Sequence, residues 1–135
     1  MNHPKEIRWK QRFTNFEKSF QLLERTLKIP KPSEAEKGGI IQFYETTIEL
    51  GWKIMKDYLE SQGYKPVSPR DVIKTALQAE LITDGEKWMQ ALEDRNLTAH
   101  VYDEEMANQI VKQIRNSYFI MLQHLYVFFK NESQK

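Results

Sequence analysis

Trp9, Phe13, Phe16, Phe20, Leu23 and Leu27 recur at spacings of 4, 3, 4, 3 and 4 along the start of the chain. That rhythm keeps to one side of a 3.6-residue turn and predicts an amphipathic helix over about residues 5–29. Pro30 and Pro32 end it, because proline lacks an amide donor and crowds the preceding turn. Ser33 is the candidate N-cap of the next helix, with Glu34 and Glu36 at its positive end. Ile40, Tyr44, Ile48, Trp52, Met55 and Leu59 form the second stripe, and "QGYKP" closes that helix around Gly63. Gly51 falls inside it, where glycine costs about 1 kcal/mol relative to alanine. Close approach of a neighbouring helix is the expected compensation.

Three further helical patterns follow. "VSPRDVIKTALQAELI" has Ser68 as N-cap and Pro69 at the first helical position, and predicts a shorter helix burying Val72, Ile73, Ala76 and Leu77. "TDGEKWMQALEDRN" opens a fourth at Thr83 or Asp84, burying Trp88, Met89 and Leu92. The last begins near Asp103, with Glu104 and Glu105 in its first turn, and runs through Ala107, Ile110, Ile114, Tyr118, Met121, Leu125 and Phe128. "KNESQK" reads as a loose tail. Strand alternation and fixed-period repeats are both missing. The pattern predicts an all-α protein: an antiparallel four-helix up-and-down bundle with an extra short helix.

Length adds that 135 residues suffice for one domain with one core, spanning 1–135. The 16 aromatic residues can bury a large area, and the lack of cysteine removes disulfides, thiol catalysis and cysteine-based zinc sites. With no signal-like N-terminus and no long apolar run, the expectation is a soluble cytoplasmic protein with no membrane partner. "SYFIMLQHLYVFF" is apolar nearly all round, more than one face of a small monomer needs. Either a second copy of the chain covers the surplus, giving a homodimer, or the C-terminal helix is wrapped by its own chain.

Net charge is +1, which argues against a broad nucleic-acid-coating surface. Residues 1–31 nevertheless hold eight Lys or Arg against three Glu, a local +5. This is either a basic binding face on the first helix or its solvated outer side.

The polar chemistry gathers in "EDRNLTAHVYDE", where Arg95, Asn96, His100 and Tyr102 fall within eight residues. On a continuous helix Arg95 and His100 would stand about 140° apart around the axis and about 7.5 Å along it, too far to face one small site. The spacing makes sense if the helix ends near His100, or if two copies of the motif meet across a two-fold axis. Such a set suits a phosphate ester. Histidine moves a proton near neutral pH. Arginine forks onto phosphate oxygens and stabilises developing charge. Asparagine can orient the imidazole or a ribose hydroxyl. The structural alternative pairs Arg95 with Glu93 or Asp94 at the surface and leaves His100 to cap a helix. Metal chemistry is not indicated, since His3, His100 and His124 have no ligand spacing and no phosphate loop or nucleophile elbow is present. No cofactor is expected.

"RNLTAHVYDE" also resembles the Arg-polar-x3-His motif of the HEPN superfamily. The added tyrosine, R-x4-H-x-Y as Arg95, His100 and Tyr102, is similar to its HepT-type and nucleotidyltransferase substrate-binding branch. The resemblance extends through "FEKSFQLLER", "FYETTIELGWKIMKDYLE" and "SPRDVIKTALQAELITDGEKWMQALEDRN". It implies a helical-bundle homodimer with the motifs facing across the dimer axis. A minimal nucleotidyltransferase is the implied partner, in a toxin–antitoxin-like pair. It further implies a metal-independent endoribonuclease acting on RNA, with Arg95 and His100 catalytic, Asn96 supporting and binding nucleotide with Arg95, and Tyr102 the adenylylation site. The same residues also fit a non-catalytic nucleotide-binding subunit, and a helical adaptor is the third reading.

Overall fold

The computed structural model describes residues 3–95 and 103–135, and every described segment of regular structure is helical. The elements are α1 (Pro4–Leu27), α2 (Glu34–Ser61), α3 (Pro69–Gln78), α4 (Gly85–Asp94), α5 (Glu104–Gln113) and α6 (Phe119–Ser133). A π-helical turn, Ile114–Tyr118, joins α5 to α6 in one continuous rod.

Local chemistry accounts for the starts of these helices. His3 caps α1 by accepting from the Lys5 amide at 3.2 Å, and Pro4 occupies the first turn. Ser33 and Glu36 form a capping box on α2: the Ser33 side chain accepts from the Glu36 amide at 3.1 Å and Glu36 accepts from the Ser33 amide at 2.8 Å. Ser68 caps α3, and Asp103 caps α5 by accepting from the Met106 amide at 2.8 Å. α2 and α3 end alike, in a left-handed residue followed by a six-residue closing bond. Gly63 has φ 95° and the Tyr64 amide donates to the Leu59 carbonyl; Glu80 has φ 60° and the Leu81 amide donates to the Ala76 carbonyl.

Packing sets the directions. Trp9 meets Tyr58 and Ser19 meets Thr47, so α1 and α2 run in opposite senses. Trp9 against Phe129, Phe13 against Tyr126 and Phe20 against Phe119 make α1 antiparallel to α6 as well. Aromatic rings at centroid separations of 4.7–5.9 Å fill this seam, each pair adding modestly to its area burial. α3 and α4 form a short return leg. Gly51 is where the helices converge: a Cβ there would lie 2.9 Å from Trp88 Cη2 and 3.5 Å from both Leu125 Cδ2 and Phe16 Cε2. The close approach expected from the sequence is real and involves α1, α4 and α6 together.

Several expectations need correction. Leu77 is 47% exposed, because the short α3 lays only Val72, Ile73 and Ala76 on the core. Trp52, Met89, Ala107, Ile110 and Phe128 are half-buried at the core's edge, while Ile54, Val111, Leu122 and Phe129 are fully buried. "KNESQK" is not a loose tail, since α6 continues to Ser133. Lys130 pairs with Glu17 at 3.1 Å and the Tyr58 hydroxyl donates to Glu132 at 3.4 Å, tying that end to α1 and α2. Of the all-round apolar segment, Ile120 and Val127 remain 42% and 50% exposed on one side of α6. On α1, Arg12 turns inward onto the buried Asp57, whereas Lys5, Arg8, Lys18 and Arg25 are exposed, as are Lys28 and Lys31 just beyond its end. No helix among the described residues is long and apolar enough to cross a membrane.

Candidate functional site at the end of the fourth helix

α4 anchors itself by burying Trp88, Ala91 and Leu92, which leaves its last turn to carry polar side chains outward. Arg95 is its C-cap, with its amide donating to the Ala91 carbonyl at 3.0 Å. A cation suits that position, since the helix end carries partial negative charge. The guanidinium reaches α2, where Nη1 donates to Glu49 Oε1 at 3.1 Å. Glu49 is itself held, its other oxygen accepting from Trp52 Nε1 at 3.0 Å. Arg95 thus stands half-exposed, a permanent charge with one side braced against α2.

One residue earlier, Asp94 is gripped at both oxygens. Tyr118 Oη donates to Oδ2 at 2.6 Å and Gln90 Nε2 donates to Oδ1 at 2.9 Å. Gln113 Nε2 in turn donates to Tyr118 Oη at 3.0 Å. Gln113 and Tyr118 flank and close the π turn, in which the Phe119 amide reaches the Ile114 carbonyl five residues back. Such turns widen a helix locally and re-aim its side chains. The Tyr44 ring stacks on Tyr118 at 5.4 Å, and its buried hydroxyl has no hydrogen-bond partner among the described residues. Burial pushes the Tyr44 hydroxyl far up; burial, then the bond to Asp94, does the same for Tyr118. Both therefore stay protonated, and Tyr118 acts as a donor to Asp94 and not as a base.

Beside Arg95 lies a cleft of about 260 Å³, lined by Ser68, Pro69, Arg70, Leu92, Glu93 and Arg95. Arg70 Nη2 and Glu93 Oε1 meet across it at 2.6 Å.

Of the four residues singled out in the sequence, the structure places Arg95. Asn96, His100 and Tyr102 lie outside the described residues. The surface pairing imagined for Arg95 is replaced by a contact to α2, while Glu93 holds Arg70 and Asp94 holds Tyr118 and Gln90. Among the described residues no group of three His, Asp or Glu is arranged to hold a metal. His3 caps α1, and exposed His124 lies 3.9 Å from Asp84. The sequence pattern does not single out Glu49 or Arg70, offers Asp94 only as a partner for Arg95, and places Tyr118 only in the core. Its hydroxyl was the available signal, since a buried tyrosine normally finds an acceptor.

The family described as "Nucleotidyltransferase substrate binding protein like" matches residues 11–131, nearly the whole chain. The chain belongs to that family. A Haemophilus influenzae protein named "Probable ribonuclease HepT" is 35% identical to it over 81 residues, 56% of this chain and 56% of that relative. The chain thus spans about half the length of that curated relative. A crystal structure of a Thermus thermophilus protein is also similar, with a TM-score of 0.76 and 28% identity, covering 89% of this chain and 99% of the other. The family match agrees with the sequence's resemblance to the nucleotidyltransferase substrate-binding branch.

Proposed function

We propose that this protein is the substrate-binding partner subunit of a minimal nucleotidyltransferase, in a toxin–antitoxin-like pair in the cytoplasm, and that it works as a homodimer. Its site is the Arg95-x4-His100-x-Tyr102 motif, and its activity is metal-independent cleavage of RNA. Arg95 holds the scissile phosphate and stabilises the charge that builds on it. His100 of one copy takes the proton from a ribose 2′-hydroxyl, whose oxygen attacks phosphorus. His100 of the other copy gives a proton to the departing 5′-oxygen, leaving a 2′,3′-cyclic phosphate. Asn96 orients the imidazole or the ribose, and Tyr102 is the hydroxyl that the transferase adenylylates to silence the site.

The observation that carries this reading is Arg95 itself: a guanidinium braced by Glu49 at a helix end, within a chain whose family match spans 11–131. The exposed Ile120 and Val127 on α6 support a covering second copy. The family's description favours a second reading, in which the same residues bind a nucleotide without cutting it.

The test is incubation of purified wild type and His100→Ala with mixed RNA in excess EDTA, with light scattering to confirm the dimer of each. Cleavage by the wild type alone, leaving cyclic phosphate ends, is the expected result. A dimeric wild type that never cuts RNA would overturn the nuclease assignment in favour of the binding subunit. Transfer of labelled adenylate to Tyr102 by the transferase would then be measured.

A further inference from the structure

We infer that the cleft between the start of α3 and the end of α4 is a nucleotide subsite, in which Arg70 holds the phosphate next to the one held by Arg95. The inference rests on the reading of Arg95 as a phosphate-binding residue, and it specifies how much of the strand that site grips.

Two arginines are among the residues lining this one cleft, Arg95 at the end of α4 and Arg70 in the first turn of α3. Pro69 and buried Leu92 supply apolar surface between them. Apolar walls with cations at the rim fit a nucleoside flanked by phosphates. The volume, about 260 Å³, falls just below the usual range of ligand pockets and leaves room for no more than one nucleotide. A chain of net charge +1 is consistent with so short a grip.

The start of α3 does not attract the anion through its amides. Ser68 already accepts from the Asp71 amide at 3.1 Å, and Asp71 accepts from the Val67 amide at 2.9 Å. The pull comes from the guanidiniums. Arg70 is held only lightly: its pair with Glu93 has side chains 65% and 54% exposed, and exposed ion pairs contribute little. A phosphodiester carries the same single charge as Glu93 and offers Arg70 the same pair of oxygens, so the two anions compete for one guanidinium. Glu93 is therefore a weak competing anion across the mouth of the cleft.

This arrangement makes predictions of opposite sign for two neighbouring residues. The probe is a short fluorescent 2′-O-methyl RNA, which cannot be cut by the 2′-hydroxyl route, titrated against the full chain by anisotropy. Arg70→Ala should weaken binding about tenfold, and Arg70→Lys should recover part of the loss. Glu93→Gln should tighten binding about threefold by removing the competitor. Neither change should shift the melting temperature appreciably, because both side chains are exposed. If Arg95→Ala weakens binding while Arg70→Ala and Glu93→Gln leave it unchanged, the subsite is wrong and the Arg95 site stands. A wild type that does not bind the probe overturns both.

Discussion

The Tyr118 hydroxyl, carried on a π turn of the C-terminal rod, donates to Asp94 at 2.6 Å, one residue before Arg95. The bond ties the end of α4 to a helix that begins beyond the motif, so the motif is bracketed by two elements locked together. Tyr118→Phe keeps the ring stacked on Tyr44 and removes only this donor. Asp94 retains Gln90, so the expected loss is about 1–2 kcal/mol, measured as a lower urea midpoint at unchanged slope. An unchanged midpoint would show that the bond holds nothing.

Gly51→Ala should destabilise the protein despite alanine's better helix propensity. That propensity favours the variant by about 1 kcal/mol, but the new methyl falls 2.9 Å from the ring of fully buried Trp88. Overpacking typically costs about 1–3 kcal/mol, and an indole enclosed on all sides has little room to retreat. Thermal unfolding with tryptophan fluorescence reads both the net loss and the displaced indole. A stabilised variant would mean the three-helix convergence is looser than described.

Glu80→Gly should do the reverse. Glu80 takes φ 60° to close α3, the geometry Gly63 supplies for α2 without a Cβ penalty. Relief of the left-handed strain should add about 0.5–1 kcal/mol, offset in part by the glycine's freer unfolded chain. The comparison is direct: chemical denaturation of the variant beside wild type, with a lower midpoint counting against the account.

Alkaline pH should loosen the seam between α1, α2 and α6. The Tyr58 hydroxyl is pushed up to about 12, first by burial and then by nearby Glu132. Tyr126 also rises to about 12, first through its hydrogen bond to Glu17 at 2.7 Å. Raised values mean the folded state keeps both protons, so their stabilisation is fully present below pH 10 and is lost as pH climbs toward 12. The same bond lowers Glu17, whose contribution is present above about pH 4.5 and fades in acid. Absorbance at 295 nm should show these two tyrosines ionising only as the chain unfolds. Titration of all six near pH 10 in the folded protein would contradict this.

What could be read before folding was what depends on a few neighbouring residues. The 4-and-3 spacing from Trp9 to Leu23 marks α1, Ser33 with Glu36 marks the start of α2, and Gly63 its end, because turns and caps are decided within one helical turn. The R-x4-H-x-Y residues were legible as a candidate site for the same reason: they lie side by side in the chain. What folding added came from residues far apart. Glu49 stands 46 positions before the arginine it braces, and Tyr118 stands 24 after Asp94. No local pattern announces either. The π turn left only a faint trace, two successive spacings of four at Ile110, Ile114 and Tyr118, which a regular helix could also absorb. The C-terminal residues look polar and loose in isolation, yet they are helical because Glu17 and Tyr58 await them across the core. Propensity acts on neighbours, whereas the position of a charge is set by whatever the packed helices bring opposite it.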